Sequence, residues 1–322
     1  MKKYAFSYFK DYDFPLSEAT RLQLFLNNSL QDRYSKIYIL NKSELFRNKK
    51  ISAIQQLNIF SFLATLIWVR LNKSIEIEYY GPLGGSAVVK LLKLINFDNY
   101  FLTDGGDVLK HKTERFIYIG HPSENMNGLC LLPALESKWA DNFEVIYKDT
   151  ITISYMSHLS EFKGILDVLS ALILLKGAEQ KKIIFRLATN SIREEKRVLA
   201  KLNEFKKKFE GEIELYGKVD PIKFLRETDI YIYPFHGRRG TFNVPLSLLE
   251  ATLSGAFPIG PNHTNTVCWI GEDCTVNVKS PEEIKALIER FMAFNINDRF
   301  SSLSAIRERI LKNIEFVTKG RN

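Results

Sequence analysis

The chain has 322 residues, a formal net charge of +8 and a pI near 9.1, with 45% hydrophobic and 25% charged residues. This composition excludes long disorder, and the length suits two globular domains better than a single core. The longest apolar run, residues 59–69, falls short of the roughly 20 residues that a membrane-spanning helix needs.

The first half alternates short apolar runs with helical patterns. Strands are predicted at residues 4–9, 36–40, 75–80, 100–103 and 115–119. Helices are predicted at residues 17–29, 43–71 (one long or two short) and 86–95. This alternation favours βαβ units and a mostly parallel sheet. The glycine turn at residues 81–85 follows no complete dinucleotide-binding pattern, so we interpret it as structural.

Residues 121–150 lose this rhythm and are rich in turn residues and prolines, which is typical of a linker. We place the boundary near residue 147, so that residues 1–147 form an N-terminal domain and residues 148–295 a C-terminal one.

The second half restarts the alternation. Strands are predicted at residues 151–156, 182–187, 212–216, 229–233 and 257–260. Helices are predicted at residues 165–175, 192–209, 221–227, 245–254, 281–294 and 299–316. Ligands of parallel sheets bind beyond the carboxyl ends of the strands, so the loops there hold the candidate site residues.

Two of these loops carry cations. Residues 157–164 place His158 and Lys163 before a helix, where a cation and free N–H groups can hold a phosphate. A Lys-Gly pair at a helix start is also a common surface turn. In residues 235–243, Arg238 and Arg239 can each donate two hydrogen bonds to phosphate oxygens, and a solvated surface loop is the alternative.

Glu250 lies in the apolar segment PLSLLEATLSG, where a carboxylate is costly unless it is paired or hydrogen-bonded. Sugar hydroxyls are suitable partners, and exposure on a polar helix face is the alternative. Thr189 and Gly217 follow two other strands, where small residues leave room for a planar base, although turn chemistry explains them equally well.

Residues 151–291, nearly half the chain, resemble the nucleotide-sugar-binding domain of retaining glycosyltransferases of the GT-B fold, specifically glycosyltransferase family 4. The resemblance is carried by YMSHLSEFKGILDVLSAL, LYGKVDPIKFLRETDIYIYPF and PLSLLEATLSGAFPIGPN, in the family's order. The N-terminal half is less similar, but IYIGHP resembles the family's strand that ends in a histidine near the sugar and acceptor, here His121.

The resemblance implies an α/β fold of two Rossmann-like domains with parallel sheets facing across a cleft, with the C-terminal helix, residues 296–322, packing back on the first domain. It implies that Lys163 and Gly164 contact the donor diphosphate, that Glu250 binds the ribose hydroxyls, and that Gly217 to Val219 border the base.

The chain departs from the family pattern at two positions. His158 stands where the family usually has arginine, and Phe242 where it has the first glutamate of a Glu, seven residues, Glu motif. Arg238 or Arg239 would supply the charge missing at His158. The sugar contacts would come from Asn243 and from the N–H groups of Val244 and Leu246.

The predicted activity is transfer of a sugar from a nucleoside-diphosphate sugar to a glycan or lipid-linked acceptor, with retention at the anomeric carbon and without a metal or a further cofactor. A donor phosphate oxygen is expected to assist acceptor deprotonation, as the resemblance implies. Three alternatives stay open: a catalytically inactive sugar-nucleotide-binding scaffold, a sugar-nucleotide epimerase, and a nucleic-acid-binding protein, which only the pI suggests.

The three cysteines and five histidines lack the spacing of a metal or redox motif, and the N-terminus lacks a signal-peptide pattern. We therefore expect a cytoplasmic protein. Residues 47–70 combine basic with aromatic and aliphatic side chains, which suits contact with an anionic membrane on its inner face; packing in the domain core is the alternative.

Overall fold

The structure, a computed structural model, describes residues 2–9, 34–41, 49–51, 54–81, 95, 97–102, 116–118, 149–189, 195–236 and 246–319. The described residues up to Tyr118 belong to one unit, and those from Asp149 to Phe316 belong to a second. The predicted boundary near residue 147 lies outside the described residues and stays a prediction.

The first unit contains a seven-stranded sheet. Its elements are β1 (Lys2–Phe9), β2 (Lys36–Asn41), β3 (Lys49–Ile51), β4 (Ile54–Leu57), α1 (Ile59–Leu71), β5 (Ile75–Gly81), β6 (Asn99–Leu102) and β7 (Phe116–Tyr118). The strand order is β3-β4-β2-β1-β5-β6-β7, and neighbours pair in parallel except β3 with β4. A mostly parallel sheet is therefore confirmed.

Aromatic side chains fill the core on one face of this sheet. The ring of Phe6 lies 5.2 Å from that of Tyr38, 5.5 Å from that of Phe62 and 6.1 Å from that of Phe97. Helix α1 begins at Asn58, whose side chain accepts the Ser61 N–H at 2.8 Å. The helix buries Phe62, Leu66 and Val69 at helical spacing.

The helix predicted across residues 43–71 is wrong for its described first part, where β3 and β4 are strands. The segment KKISAIQQL has no strict alternation of apolar and polar residues, and the pairing of β4 with β2 decides here in favour of strands. The helix predicted at residues 17–29 lies outside the described residues, as do residues 86–94 of the helix predicted at 86–95 and residues 82–85 of the glycine turn.

The second unit contains a six-stranded sheet with helices between its strands. Its strands are β8 (Ile151–Met156), β9 (Ile183–Ala188), β10 (Glu212–Tyr216), β11 (Ile230–Ile232), β12 (Phe257–Pro261) and β13 (Thr275–Val276). Its helices are α2 (Ile165–Leu174), α3 (Gly177–Gln180), α4 (Lys196–Lys208), α5 (Pro221–Arg226), α6 (Leu246–Leu253), α7 (Thr264–Ile270), α8 (Pro281–Ala293) and α9 (Ile296–Lys319).

All neighbours in this sheet pair in parallel, in the order β10-β9-β8-β11-β12-β13. The sequence predicts β8 and β10 to the residue, and among the α-helices and strands of this unit it misses the short elements α3, α7 and β13. Along α9, the Arg307 guanidinium donates to the Leu253 carbonyl, and Asn313 Nδ2 donates to the Cys268 carbonyl at 2.8 Å. The packing of this helix against the first unit stays a prediction.

Candidate functional site

The strand order of the second unit reverses between β8 and β11. The chain leaves β8 toward β9 and β10 on one side, then returns to place β11 on the other side of β8. Such a reversal opens a crevice at the carboxyl ends of the two strands, where open α/β sheets bind ligands. The loops at this point are residues 157–164 after β8 and residues 233–236 after β11.

The loop after β8 is held by hydrogen bonds within the loop and by hydrogen bonds to Glu195. Glu195 accepts the Ser160 hydroxyl at 2.7 Å and the Glu161 N–H at 2.9 Å, and these bonds lower the pKa of its carboxyl. The N–H groups of Lys163 and Gly164 donate to the carbonyls of Ser160 and Glu161. The expectation of free N–H groups is therefore wrong for Glu161, Lys163 and Gly164, and Lys163 is the cation that the loop brings to the start of α2.

The Lys163–Gly164 corner joins this loop to α2. Gly164 has a φ of 78°, in the left-handed region that favours glycine. A Cβ added there would lie 2.2 Å from the Pro234 carbonyl oxygen, so only glycine fits against the loop after β11. The Lys163 ammonium lies 5.9 Å from the centre of the Tyr233 ring, at cation–π distance.

Three tyrosines line the ends of β8 and β11. The Tyr155 hydroxyl donates to the Lys163 carbonyl at 3.1 Å, and the Tyr231 hydroxyl donates to the Met156 carbonyl at 3.3 Å. Burial raises the pKa of Tyr155 and of Tyr231 above their ordinary values, so both phenols stay protonated donors at neutral pH. Tyr233 packs edge-on to Tyr155, with ring centres 6.2 Å apart.

Glu250 is buried on α6, with 1% of its surface exposed, which excludes the alternative of a solvent-exposed polar face. Its carboxylate lies near the Tyr231 phenol and contributes to the raised pKa of that group. Leu246, at the start of the same helix, is also buried. The structure thus brings Glu250 beside a tyrosine that reaches the end of β8, the strand that leads into the Lys163 loop.

The residues predicted to border a base lie at the ends of β9 and β10. The Thr189 N–H donates to the Tyr216 carbonyl at 3.1 Å, and a Cβ added to Gly217 would meet nothing within 4 Å. Val219 is half-buried in the turn before α5. Arg186 supports this region, because its guanidinium lies 3.0 Å from a Glu214 oxygen and 3.1 Å from a Glu227 oxygen.

Of the other predicted residues, His158 is half-buried, and its carbonyl accepts the Ser160 N–H at 2.9 Å. Several predicted residues lie outside the described part of the chain: His121, Arg238, Arg239, Phe242, Asn243 and Val244. Their roles stay predictions. Within the described ranges, no group of three or more His, Cys, Asp or Glu side chains is arranged to hold a metal ion.

The sequence reasoning missed a pair that joins the two loops. His236 Nε2 lies 2.5 Å from an Asp167 oxygen, and both side chains are nearly buried. It also gave no role to the tyrosines of the segments ISYM and IYIY, although three aromatic hydroxyls at the ends of two predicted strands were a usable signal. Glu195, which holds the Lys163 loop, had no comparable signal.

No protein-family model and no curated protein sequence matches the chain. Solved structures do. A glycosyltransferase from Rickettsia africae is 11% identical, with a TM-score of 0.65 over 99% of this chain and 97% of that one. WaaG, a glycosyltransferase involved in lipopolysaccharide biosynthesis, is 9% identical, with a TM-score of 0.62 over 98% of both chains.

An alpha,alpha-trehalose-phosphate synthase (UDP-forming) from Burkholderia vietnamiensis is 10% identical, with a TM-score of 0.65 over 99% of this chain and 96% of that one. At such low identity these matches show the fold. The predicted fold class is confirmed: two parallel-sheet α/β units with a full-length match to GT-B glycosyltransferase structures.

Proposed function

We propose that the protein is a retaining glycosyltransferase that uses a nucleoside-diphosphate sugar as donor. The observation that carries the proposal is that the elements at the strand reversal of the second unit carry both a cation, Lys163, near Tyr233, and a buried carboxylate, Glu250, near Tyr231. A diphosphate is bound by a cation, and the hydroxyls of a ribose are bound by a hydrogen-bond acceptor such as a carboxylate. The full-length similarity to glycosyltransferases, one of them UDP-forming, supports the same activity.

The proposed binding mode follows the strand ends. The base lies beside Gly217, where there is open space, the ribose reaches Glu250, and the diphosphate meets Lys163. Arg238 and Arg239 add charge to the departing diphosphate, and His121 serves the acceptor. Catalysis then comes from holding donor and acceptor together and from stabilising the leaving group without a metal.

Transfer to a glycan or lipid-linked acceptor is the second part of the proposal. Helix α1 presents an outward apolar face, because Phe60, Ile67, Trp68 and Leu71 are 71%, 60%, 56% and 79% exposed. Arg70 lies on the same helix, whereas Lys49 and Lys50 belong to β3. Aromatic and aliphatic groups beside a cation suit the interface of an anionic membrane. Among the described residues, no helix is both long and apolar enough to cross a bilayer.

The donor is tested by a thermal-shift panel of UDP-, GDP- and ADP-sugars, followed by mass spectrometry of products with candidate acceptors. We expect one base to stabilise the wild-type protein and Lys163→Met to weaken its binding about 30-fold, the equivalent of about 2 kcal/mol. Glu204→Gln, on the exposed face of α4, is the matched control.

The outcomes separate the candidate functions. Stabilisation by no donor would contradict the proposal. Binding without any product would indicate a scaffold, and a changed donor in the absence of acceptor would indicate an epimerase.

Membrane contact is tested by co-sedimentation with vesicles of phosphatidylcholine and phosphatidylglycerol at low salt. The wild-type protein should sediment with anionic vesicles, and the double variant Phe60→Ser with Trp68→Ser should stay in solution. Both side chains are exposed, so the fold should be unaffected. Equal sedimentation of variant and wild type would exclude α1 as the contact.

A further inference from the structure

Residues 233–236, which follow β11, hold the corner around Lys163 at three points. The His236 N–H donates to the Phe162 carbonyl at 2.9 Å. The His236 imidazole lies 2.5 Å from an Asp167 carboxylate oxygen. The Pro234 carbonyl lies so close to the Gly164 Cα that a Cβ would come within 2.2 Å of it. Two segments far apart in the sequence are thus joined at the strand reversal.

The contacts of His236 lie on both sides of Lys163 in the sequence. Its main chain holds the residue just before Lys163, and its side chain holds the first turn of the helix that follows. The Tyr155 hydroxyl donates to the Lys163 carbonyl itself, at 3.1 Å. The main chain of Lys163 is therefore fixed from both sides, which sets the point from which its side chain extends.

The bond between His236 and Asp167 is shielded from water. The side chains are 10% and 13% exposed, respectively. A hydrogen bond is electrostatically stronger in such surroundings than in water, and less able to exchange with solvent. It can therefore keep the corner ordered before a ligand arrives, which lowers the entropy that a ligand must offset on binding.

We propose that His236 is a positioning residue for the donor diphosphate, and that it acts through Lys163. This role rests on the proposed function of the same site. His236 fixes the main-chain position from which Lys163 reaches the phosphates. Asp167 in turn holds the imidazole. His236 lies in the predicted loop of residues 235–243, two positions before Arg238, and the sequence pattern by itself assigns it no role.

The experiment is a double-mutant cycle in ligand binding. Affinities of the wild type, His236→Ala, Lys163→Met and the double variant are measured by calorimetry for UDP, GDP and ADP and for uridine, guanosine and adenosine. For the diphosphate that binds the wild type most tightly, each single variant should bind about 10-fold more weakly or worse. The double variant should bind no more weakly than Lys163→Met alone.

The affinity for the nucleoside distinguishes a loss of Lys163 positioning from a general loss of the binding site. Binding of the matching nucleoside should change less than about 2-fold in every variant, because it lacks the groups that Lys163 contacts. His236→Gln, whose amide nitrogen can take the place of Nε2, should restore most of the diphosphate affinity. If His236→Ala does not fold, Asp167→Ala removes the acceptor of the same bond and should weaken diphosphate binding in the same way.

Ser154→Ala is the structural control. This substitution removes the hydrogen bond between the buried hydroxyls of Ser154 and Thr228, which lie 2.8 Å apart in the same unit. It leaves the contacts of the Lys163 corner unchanged. It should lower the melting temperature and leave diphosphate affinity unchanged.

Additive losses in the cycle, or an equal loss for nucleoside and diphosphate, would overturn the role of His236 while leaving the proposed function standing. If the wild type bound none of the three diphosphates, the role of His236 and the proposed function would both be wrong.

Discussion

Glu78 in the first unit and Glu250 in the second are equally shielded from water, but their surroundings differ. Glu78, 0% exposed, lies within β5, where its carboxylate contacts the Tyr34 hydroxyl and lies 3.9 Å from the Lys3 ammonium. Glu250 lies on a helix beside Tyr231, at the strand reversal. Burial alone thus does not distinguish the carboxylate of Glu78 from that of Glu250. Their positions relative to the strand ends do, and on that ground we propose ligand binding for Glu250 alone.

The largest expected effect is at Glu78. Glu78→Ala should destabilise the first unit by about 4 kcal/mol, because it removes the carboxylate acceptor of the buried Tyr34 hydroxyl and truncates a fully buried side chain within β5, while Lys3 keeps its ion pair with Glu76. Glu78→Gln, which keeps the shape and one acceptor, should cost clearly less. Hydrogen exchange of peptides from β1 and β5 measures this unit by itself, since a chain of two units need not unfold in one step. Unchanged exchange in Glu78→Ala would contradict the structural role.

The second-largest effect is expected at Gly164, in the corner that joins the loop after β8 to α2. Gly164→Ala should cost about 3 kcal/mol, because a left-handed residue acquires a Cβ that overlaps the Pro234 carbonyl. Gly217→Ala is the matched control, since its Cβ would enter open space. The melting temperature of the second unit reports both. A Gly164→Ala variant as stable as Gly217→Ala would show that the two loops are not held together.

The third prediction tests the comparison directly. Glu250→Gln should weaken donor binding about 30-fold, or about 2 kcal/mol, because an amide accepts fewer ribose hydrogens than a carboxylate. Its melting temperature should fall less than that of Glu78→Gln. The opposite result, lost stability with intact donor affinity, would make Glu250 a structural carboxylate like Glu78.

The smallest effect is expected at Glu195, which is largely exposed. Its pKa is lowered from 4.5 by hydrogen bonds from the Glu161 N–H and the Ser160 hydroxyl. The contribution of the ionised Glu195 carboxylate to stability is therefore fully present above pH 4.5, and it is lost as the pH falls through the lowered pKa. Glu195→Gln should cost about 0.5 kcal/mol at pH 7 and nothing near pH 2. A difference in melting temperature that is the same at both pH values would refute this.

The elements of the second unit were predictable because their patterns are strong and local. ITISYM is a continuous apolar strand, and the segment Ile165–Leu174 has a helical period after a glycine. The first unit was harder around residues 49–57, where the local pattern suited a helix. Pairing of Gln55 and Gln56 with residues of β2 decides the structure there, and no window of local sequence contains that information.

The site divides in the same way. The positions of Lys163 and Glu250, before a helix and inside an apolar helix, were predictable from local signals, and their roles in binding stay predictions. The pairing of His236 with Asp167 was not, because 69 positions separate them in the chain. Their proximity follows from the adjacency of β8 and β11, which is a property of the sheet.

That adjacency also sets when the site can form during synthesis. The main-chain N–H of Thr152, at the start of β8, is bound by the Asp229 carboxylate, 77 residues later in the chain. Contacts of such long sequence separation form late, after local helices and neighbouring strands. A ribosome must therefore deliver β8, β9, β10 and β11 before Lys163 meets its supports. On the proposed function, nucleotide binding by a nascent chain would therefore begin only after α6, which carries Glu250, has also been synthesised.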